Sequence, residues 1–361
     1  MTYLSHKSRA VKISIDSAAL KHNFKQVQKY STNSLIMPVI KANAYGHGML
    51  QVADALEEAN GFAVAQLHEA IALREHGIKK PITVFQGFLN SEQLKLMFQY
   101  DLRPAISQLW QIDLLESLCA DVKDVNTVIN VWLKINTGMG RLGVQPDDVE
   151  LCMQRLQQIS IIQQVGLMMH FANADQPQQN SNYQQLDCFK KFIDLIDGQI
   201  SVSNSAAIIS QLCEKQDWVR PGIMLYGSSP LINRTAESLD LQAVMSVHAE
   251  LIAINDLPSG HSVGYGGGWI CPEDMPVGIV NIGYGDGYPR HASNGTPVLV
   301  NNQLTQLLGR VSMDSIAVDL RGISAQCGDE VELWGKHISV DEVALSASTI
   351  SYELLCNVGR G

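Results

Sequence analysis

The sequence predicts an α/β fold: a (β/α)8 TIM-type barrel over residues 9–236, followed by a mainly β C-terminal domain over residues 237–361 that also takes the first few N-terminal residues. Three observations lead there. Short apolar, β-branched runs alternate with amphipathic stretches from about residue 10 to residue 230, and eight of them recur. Past residue 237 the helical periodicity fades, and strands punctuated by Gly, Pro and Asn take over. A chain of 361 residues has room for both parts.

A leading VKISI and the helix AALKHNFKQVQKY open the chain. Strand-like runs follow at MPVIK (37–41), FAVAQ (62–66), ITVFQ (82–86) and RPAIS (103–107). Four more stand at VWLKI (131–135), QVGLMMH (164–170), ISVSN (200–204) and VRPGIMLYG (219–227). Continuous apolar character suits parallel strands covered on both faces, and stretches such as NSEQLKLMFQY and QPDDVELCMQRLQQ supply the crossovers. An open doubly wound sheet is the alternative, but eight successive units fill the ~250 residues a closed barrel takes. The Gln/Asn-rich QPQQNSNYQQ (176–185) reads as a solvated loop. Beyond the barrel, VMSVHAELIAI, PVGIVNIGYGDG, TPVLVNN, SIAVDL and DEVELWG read as strands of the second domain.

Composition narrows the partners. With 46% hydrophobic and 17% charged residues the chain is neither disordered nor fibrous. Lys plus Arg total 26 against 36 Asp plus Glu, and a net charge of −10 has the wrong sign for binding a phosphate backbone. No nucleic acid is expected. Seven cysteines (Cys119, Cys152, Cys188, Cys213, Cys271, Cys327, Cys356) stand singly, which predicts thiols in a reducing compartment and no metal site. The N-terminus lacks an apolar core, and no apolar run approaches the ~18 residues that span a bilayer, so the expectation is a cytoplasmic protein with no membrane partner.

VIKANAYGHG (39–48) carries Lys41 at a strand's carboxyl end, where barrel enzymes place catalytic groups. Taken alone, such a lysine is more often one that reaches out to solvent. Lys134 and Arg141 in KINTGMGRLG, His170 in MMHFANAD, Ser205 in SNSAA, and Arg220 with Gly222 in VRPGIMLYG fall at later strand ends. Singly, Ser205 reads equally as a helix cap, His170 as a wall residue and Arg220 as half of a surface ion pair. In VGYGGGW and IGYGDGYPR, Tyr265 and Tyr284 sit among glycines that also fit plain hairpins. Neither is a dinucleotide fingerprint, since no helix follows, and GxxxxGK[ST], HExxH and GxSxG are absent.

Together these motifs resemble the alanine racemase family, whose members use pyridoxal phosphate and join a barrel to a β domain. VIKANAYGHG, KINTGMGRLG, HFANAD, NSAA, RPGIMLYG, VGYGGGW, GYGDGY, GRVSMD and SYELLC carry the likeness in family order over nearly the whole chain. It implies two-base exchange of the α-proton between L- and D-alanine, with Lys41 in Schiff-base linkage to the cofactor and acting as one base. Tyr265, supplied by the other subunit of a homodimer, is implied as the second. Tyr45, Ser205, Gly222, Ile223 and Tyr352 match positions that hold the phosphate, and Arg220 the one that faces the pyridine nitrogen. His170 matches a histidine linking Tyr265 to Arg220. Arg141, Met313 and Asp314 match substrate-carboxylate and neighbouring positions, Tyr352 and Tyr284 an aromatic entrance, and Lys134 a lysine carbamylated in many members. Asn136 stands where the family has aspartate, and CNVGRG where it has an Arg-Val-Pro tail. A broad-specificity racemase, a fold-related amino-acid decarboxylase and a non-catalytic cofactor carrier are the alternatives. The second-face tyrosine and the arginine at position 220 favour racemisation. Supply of D-alanine for peptidoglycan and breakdown of D-alanine both remain open on the residues.

Overall fold

The structure, a computed structural model, describes residues 11–121 and 128–359. The chain opens with β1 (Lys12–Ile15) and α1 (Ser17–Tyr30). Asp16 caps α1 by accepting from the Ala18 and Ala19 N–H groups, and Ala19, Leu20, Phe24 and Val27 form its buried stripe. Eight strands then build one parallel sheet: β2 (Leu35–Ile36), β3 (Phe62–Val64), β4 (Ile82–Val84), β5 (Arg103–Ile106), β6 (Ile129–Lys134), β7 (Ile162–Met168), β8 (Ile200–Asn204) and β9 (Trp218–Arg220). Pairing runs β2-β9-β8-β7-β6-β5-β4-β3, and a parallel bridge between Val39 and Ala63 closes the ring. The expected barrel is present and the open-sheet alternative is excluded.

Several boundaries differ from expectation. The strand expected over 37–41 stands instead at Leu35–Ile36; within 37–41 only Val39 forms an isolated bridge, and the backbone turns sharply at Lys41. VRPGIMLYG is strand only to Arg220; Gly222 breaks the extension, and Ile223–Tyr226 form a 3-10 turn. The stretch 176–185, expected to be a solvated loop, is helical from Asn180, with Asn182 and Gln185 buried. Backbone groups hold their amides in place: Asn182 Nδ2 donates to the Asn173 and Gln176 carbonyls, and Gln185 donates to the His170 carbonyl and accepts from Ala172 N–H.

The second domain is antiparallel. Its strands are β10 (Met245–Leu257), β11 (Ser262–Val263), β12 (Trp269–Ile270), β13 (Met275–Val280), β14 (Pro297–Val300), β15 (Gln303–Leu308), β16 (Ile316–Asp319) and β17 (Glu330–Trp334). The order β10-β13-β16-β15-β14-β17 returns to β10, so six strands close a second, smaller barrel without free edges. Register shifts at Val247/His248 and Leu251/Ala253 let the long β10 turn between partners. Strand β1 adds to β10 through Lys12↔His248 to Ile15↔Met245, so Lys12–Ile15 belong to this sheet and not to the first barrel; residues 1–10 lie outside the described residues. Buried Asn23 ties the two parts, donating to the Leu225 and Gln242 carbonyls and accepting from Gln242 N–H. No helix among the described residues is long and apolar enough to cross a membrane, and no disulfide forms among them.

Candidate active site

The carboxyl ends of the barrel strands gather the candidate residues. Lys41 follows the Val39 bridge, Lys134 ends β6, His170 lies two residues past β7, Ser205 directly follows β8 and Arg220 ends β9. After Lys41 the backbone makes a left-handed turn: Ala42, Asn43, Ala44 and Tyr45 all have φ between 53° and 55°. Left-handed geometry costs L-residues roughly 1–2 kcal/mol each, so neighbours must hold the turn. They do so with hydrogen bonds. Glu69, largely buried, accepts the Ala42 N–H through Oε1 at 2.6 Å and the Ala65 and Gln66 N–H groups through Oε2 at 2.9 Å. Asn43 Oδ1 accepts Met49 N–H, and Gly48 N–H donates to the Asn43 carbonyl. Gly46, at φ 83°, closes the turn against the C-terminal helix Ser351–Asn357, where a Cβ would stand 2.1 Å from the Leu355 carbonyl oxygen.

This turn carries Tyr45 into an aromatic wall, its ring 4.8 Å from Tyr226 and 5.9 Å from Tyr352. Tyr226 donates to the Val39 carbonyl, and His47 packs 4.5 Å from Tyr226. Burial pushes the Tyr45 phenol far up, so it remains a hydroxyl donor. Opposite, Ser205 Oγ accepts the Gly222 N–H at 2.8 Å and the Met224 N–H at 3.4 Å. As the first residue of its turn, Ile223 has no acceptor for its N–H within it. Gly222 admits the Tyr45 hydroxyl: a Cβ there would lie 2.7 Å from Tyr45 Oη. The Tyr45 hydroxyl and Ser205 Oγ thus gather at Gly222, beside the Ile223 N–H, and groups of this kind suit a dianion.

Arg220 is 3% exposed, which removes the surface-ion-pair reading. Its Nη1 donates to Ser201 Oγ at 2.6 Å, and its Nη2 to the Met169 carbonyl at 2.6 Å and the Val202 carbonyl at 3.2 Å. Nη2 also stands 3.5 Å from His170 Nδ1. Nε has no protein partner among the described residues. Burial lowers the proton affinity of Arg220 to about 9, still well above neutrality, so the guanidinium stays charged. Burial, and then Arg220, Lys134, Arg141 and Lys41, hold His170 well below its ordinary range. Neutral His170 accepts from Arg220 at Nδ1 and carries its proton on Nε2.

Burial and then Arg141 depress Lys41, while burial, Arg220, Arg141 and Lys41 bring Lys134 down to about 8. Arg141 is exposed on the loop after β6, where Asn136 Oδ1 accepts from Gly138 and Gly140 N–H groups at 3.4 and 2.9 Å. None of these four cations makes an ion pair among the described residues. A cation cluster without carboxylate partners suits anionic ligands.

The other candidates lie on the second domain. Tyr265 is 67% exposed, on the turn joining β11 to β12, and Met313, Asp314 and Tyr284 are exposed too. Tyr284 N–H donates to the Ser312 carbonyl and Gly285 N–H to that of Met313, so these two loops form one surface. No hydrogen bond or ring contact joins Tyr265 to the barrel group among the described residues. Sequence reasoning missed Glu69, Tyr226 and Gln185. Of these only Glu69 left a signal, the Gln66-x-x-Glu69 spacing of a helix-capping box.

Comparison with known proteins agrees throughout the chain. The family model described as "Alanine racemase, N-terminal domain" matches residues 15–230, and "Alanine racemase, C-terminal domain" matches residues 244–361. Curated alanine racemases from Pseudomonas fluorescens and Nitrosococcus oceani are 42% and 45% identical to this chain; the match covers 98% of both chains for the first, and 95% of this chain and 96% of the relative for the second. The crystal structure of biosynthetic alanine racemase from Pseudomonas aeruginosa superposes with a TM-score of 0.93 at 40% identity, over 98% of both chains. The alanine racemase of Acinetobacter baumannii gives 0.89 at 37% identity, over 97% of both.

Proposed function

We propose, for a chain that belongs to the alanine racemase family and interconverts L- and D-alanine, that Lys41 and Tyr265 are its two acid–base groups. The carrier and decarboxylase alternatives fall away with the family match across both domains. Alanine racemases use pyridoxal phosphate, and the barrel mouth fits that group. The Tyr45 hydroxyl, Ser205, the Gly222 and Ile223 N–H groups and Tyr352 would hold its phosphate, Arg220 Nε would face its ring nitrogen, and the Lys41 amine would bind its aldehyde carbon. When bound, the cofactor supplies an electron sink that makes the substrate α-hydrogen acidic.

Each residue then has a task. Lys41, its proton affinity lowered by burial and Arg141, takes or returns the α-proton on one face. The partner subunit's Tyr265 serves the opposite face, as inversion requires. Arg220, charged and buried, leaves a ring nitrogen before it unprotonated. His170, accepting from Arg220, orients the partner's Tyr265 through its Nε2–H. Arg141 receives the substrate carboxylate, with Met313 and Asp314 beside it. Tyr284 and Tyr352 narrow the entrance. Neutral Lys134, available near pH 8, can take up carbon dioxide, forming an N–C bond and releasing a proton; the carbamate then draws in Arg141.

The observation that carries this reading is the convergence of Lys41, Lys134, Arg141 and Arg220 on one mouth, with no ion-pair partner for any of them among the described residues. Because Tyr265 stands exposed on the other domain, a homodimer that pairs each mouth with a partner's tyrosine completes the site. Cysteines without disulfides among the described residues support a cytoplasmic location, and the likeness to the biosynthetic alanine racemase of Pseudomonas aeruginosa supports D-alanine supply for peptidoglycan. Chiral analysis of L-alanine incubations tests the assignment: Lys41→Ala should abolish turnover and borohydride-reducible cofactor. Retention of reducible, covalently held cofactor by Lys41→Ala would overturn it.

A further inference from the structure

We propose that Glu69 is a positioning residue for this reaction, its carboxylate spanning from the left-handed turn after Lys41 to the end of β3 and thereby fixing where the Lys41 amine stands. The inference rests on the reading of Lys41 given above. Glu69 never meets the reacting atoms in this account; it acts through backbone. Its Oε1 takes the N–H of Ala42, the residue directly after Lys41, at 2.6 Å. Its Oε2 takes the Ala65 and Gln66 N–H groups, which follow β3. A helix-capping glutamate needs only the last of these contacts, so the other two are extra to capping. They join two strand ends that, among the described residues, the barrel sheet connects through the single bridge of Val39 and Ala63. The turn they hold has four successive non-glycine residues at positive φ. Without an acceptor, the Ala42 N–H would lose its reason to point inward, and the turn could relax to ordinary geometry and swing Lys41 away.

Glu69, Lys41, Ala42 and Asn43 line one open cleft of about 490 Å³ beside the mouth, so the clamp stands at the site and not in a remote core. Lys41 is faced by Arg141 and Lys134 from β6 and its loop, by neutral His170 from beyond β7, by Cys356 from the C-terminal helix and by Glu69. Against the two cations, Glu69 raises the proton affinity of Lys41. The clamp therefore sets both the position and the protonation of this amine.

The test uses the full-length protein stripped of cofactor, with pyridoxal phosphate as the probe. Its attachment is followed by absorbance across pH, trapped with borohydride and located by peptide mapping, for wild type, Glu69→Gln and Glu69→Asp. Glu69→Gln presents an amide donor where a backbone N–H now donates. Attachment at Lys41 should slow by roughly 10–100-fold, the range for a lost charge-assisted hydrogen bond. Its pH midpoint should also fall, since the charge that raises the Lys41 proton affinity is gone. Glu69→Asp keeps the charge but cannot span both strand ends, so the rate should fall while the midpoint stays. With cofactor restored, kcat should drop more than KM rises. Wild-type rate and midpoint in Glu69→Gln, with only a lower melting temperature, would overturn the proposal and leave Glu69 a structural cap. Should Glu69→Gln not fold, a wild-type rate in Glu69→Asp would overturn it equally. Mapping of the wild-type attachment to another lysine would instead sink the reading of Lys41 itself.

Discussion

Gly222 and Tyr45 offer a sharp test of the phosphate cradle, because the two positions compete for the same space. A Cβ on residue 222 would stand 2.7 Å from Tyr45 Oη and 3.4 Å from Cζ. The tyrosine cannot simply swing aside, since its ring packs between those of Tyr226 and Tyr352. Gly222→Ala must therefore push the hydroxyl out of the cradle. Overpacking of this kind costs about 1–3 kcal/mol of stability. Loss of one charge-assisted hydrogen bond to a dianion costs about 1.5–3 kcal/mol, so cofactor affinity should weaken by roughly 10–150-fold. In Tyr45→Phe the offending oxygen is gone, and the nearest remaining contact, at 3.4 Å, is an ordinary one. Adding Gly222→Ala to that background should cost little more. Thermal melts and fluorescence titration of the cofactor-free proteins with pyridoxal phosphate close the cycle, with a coupling of at least about 1 kcal/mol expected. Additive effects would show that Gly222 and Tyr45 do not share the phosphate site.

Two further outcomes follow from the electrostatics and hydrogen bonding. His47 is fully buried, shares Nδ1–H between the Ala44 and Tyr45 carbonyls, has no partner for Nε2 among the described residues, and is held down to about 4 by burial. The unfolded chain binds the extra proton below about 6.5, so stability should fall as pH drops from 6.5 toward 4, by up to roughly 3 kcal/mol. Urea melts should show this limb flattened in His47→Gln, and an NMR titration of His47 near 6.5 would contradict the cause. Asn136→Asp should change racemase kcat by less than about threefold, because either side chain offers the oxygen that accepts from the Gly138 and Gly140 N–H groups; steady-state kinetics decide, and a large loss would mean the amide group itself matters.

Much of the barrel was legible because buried parallel strands leave continuous apolar runs, and because Lys134, Arg220 and the Ser205 turn fall where those runs stop. Partner choice was less legible. The four residues Lys12–Ile15 read equally well as a first barrel strand, yet they pair with β10, since alternation specifies a strand but not its neighbour. The Gln-rich stretch 176–185 misled because polarity was taken for exposure, whereas Asn182 and Gln185 are buried by satisfying loop carbonyls. Gly46 and Gly48 mark a turn after Lys41, but the left-handed run Ala42–Tyr45 before them could not be read. None of those four positions is glycine, and the carboxylate that accepts the Ala42 N–H, Glu69, lies more than twenty residues away within a motif that reads as an ordinary helix cap. Tyr265 and Tyr284 stood out among glycines in the sequence, whereas Met313 and Asp314, in a loop without a motif of its own, came only with the family resemblance.

Subunit mixing measures the central claim, that each site joins one chain's Lys41 to the partner subunit's Tyr265. Lys41→Ala and Tyr265→Phe proteins, each inactive alone, are combined under conditions in which labelled subunits verifiably exchange. Random pairing makes about half of the dimers hybrids, each with one intact site, so racemase activity should recover to about a quarter of the wild-type value per site. Complete exchange with no recovery of activity would contradict the shared site and place both bases within one chain.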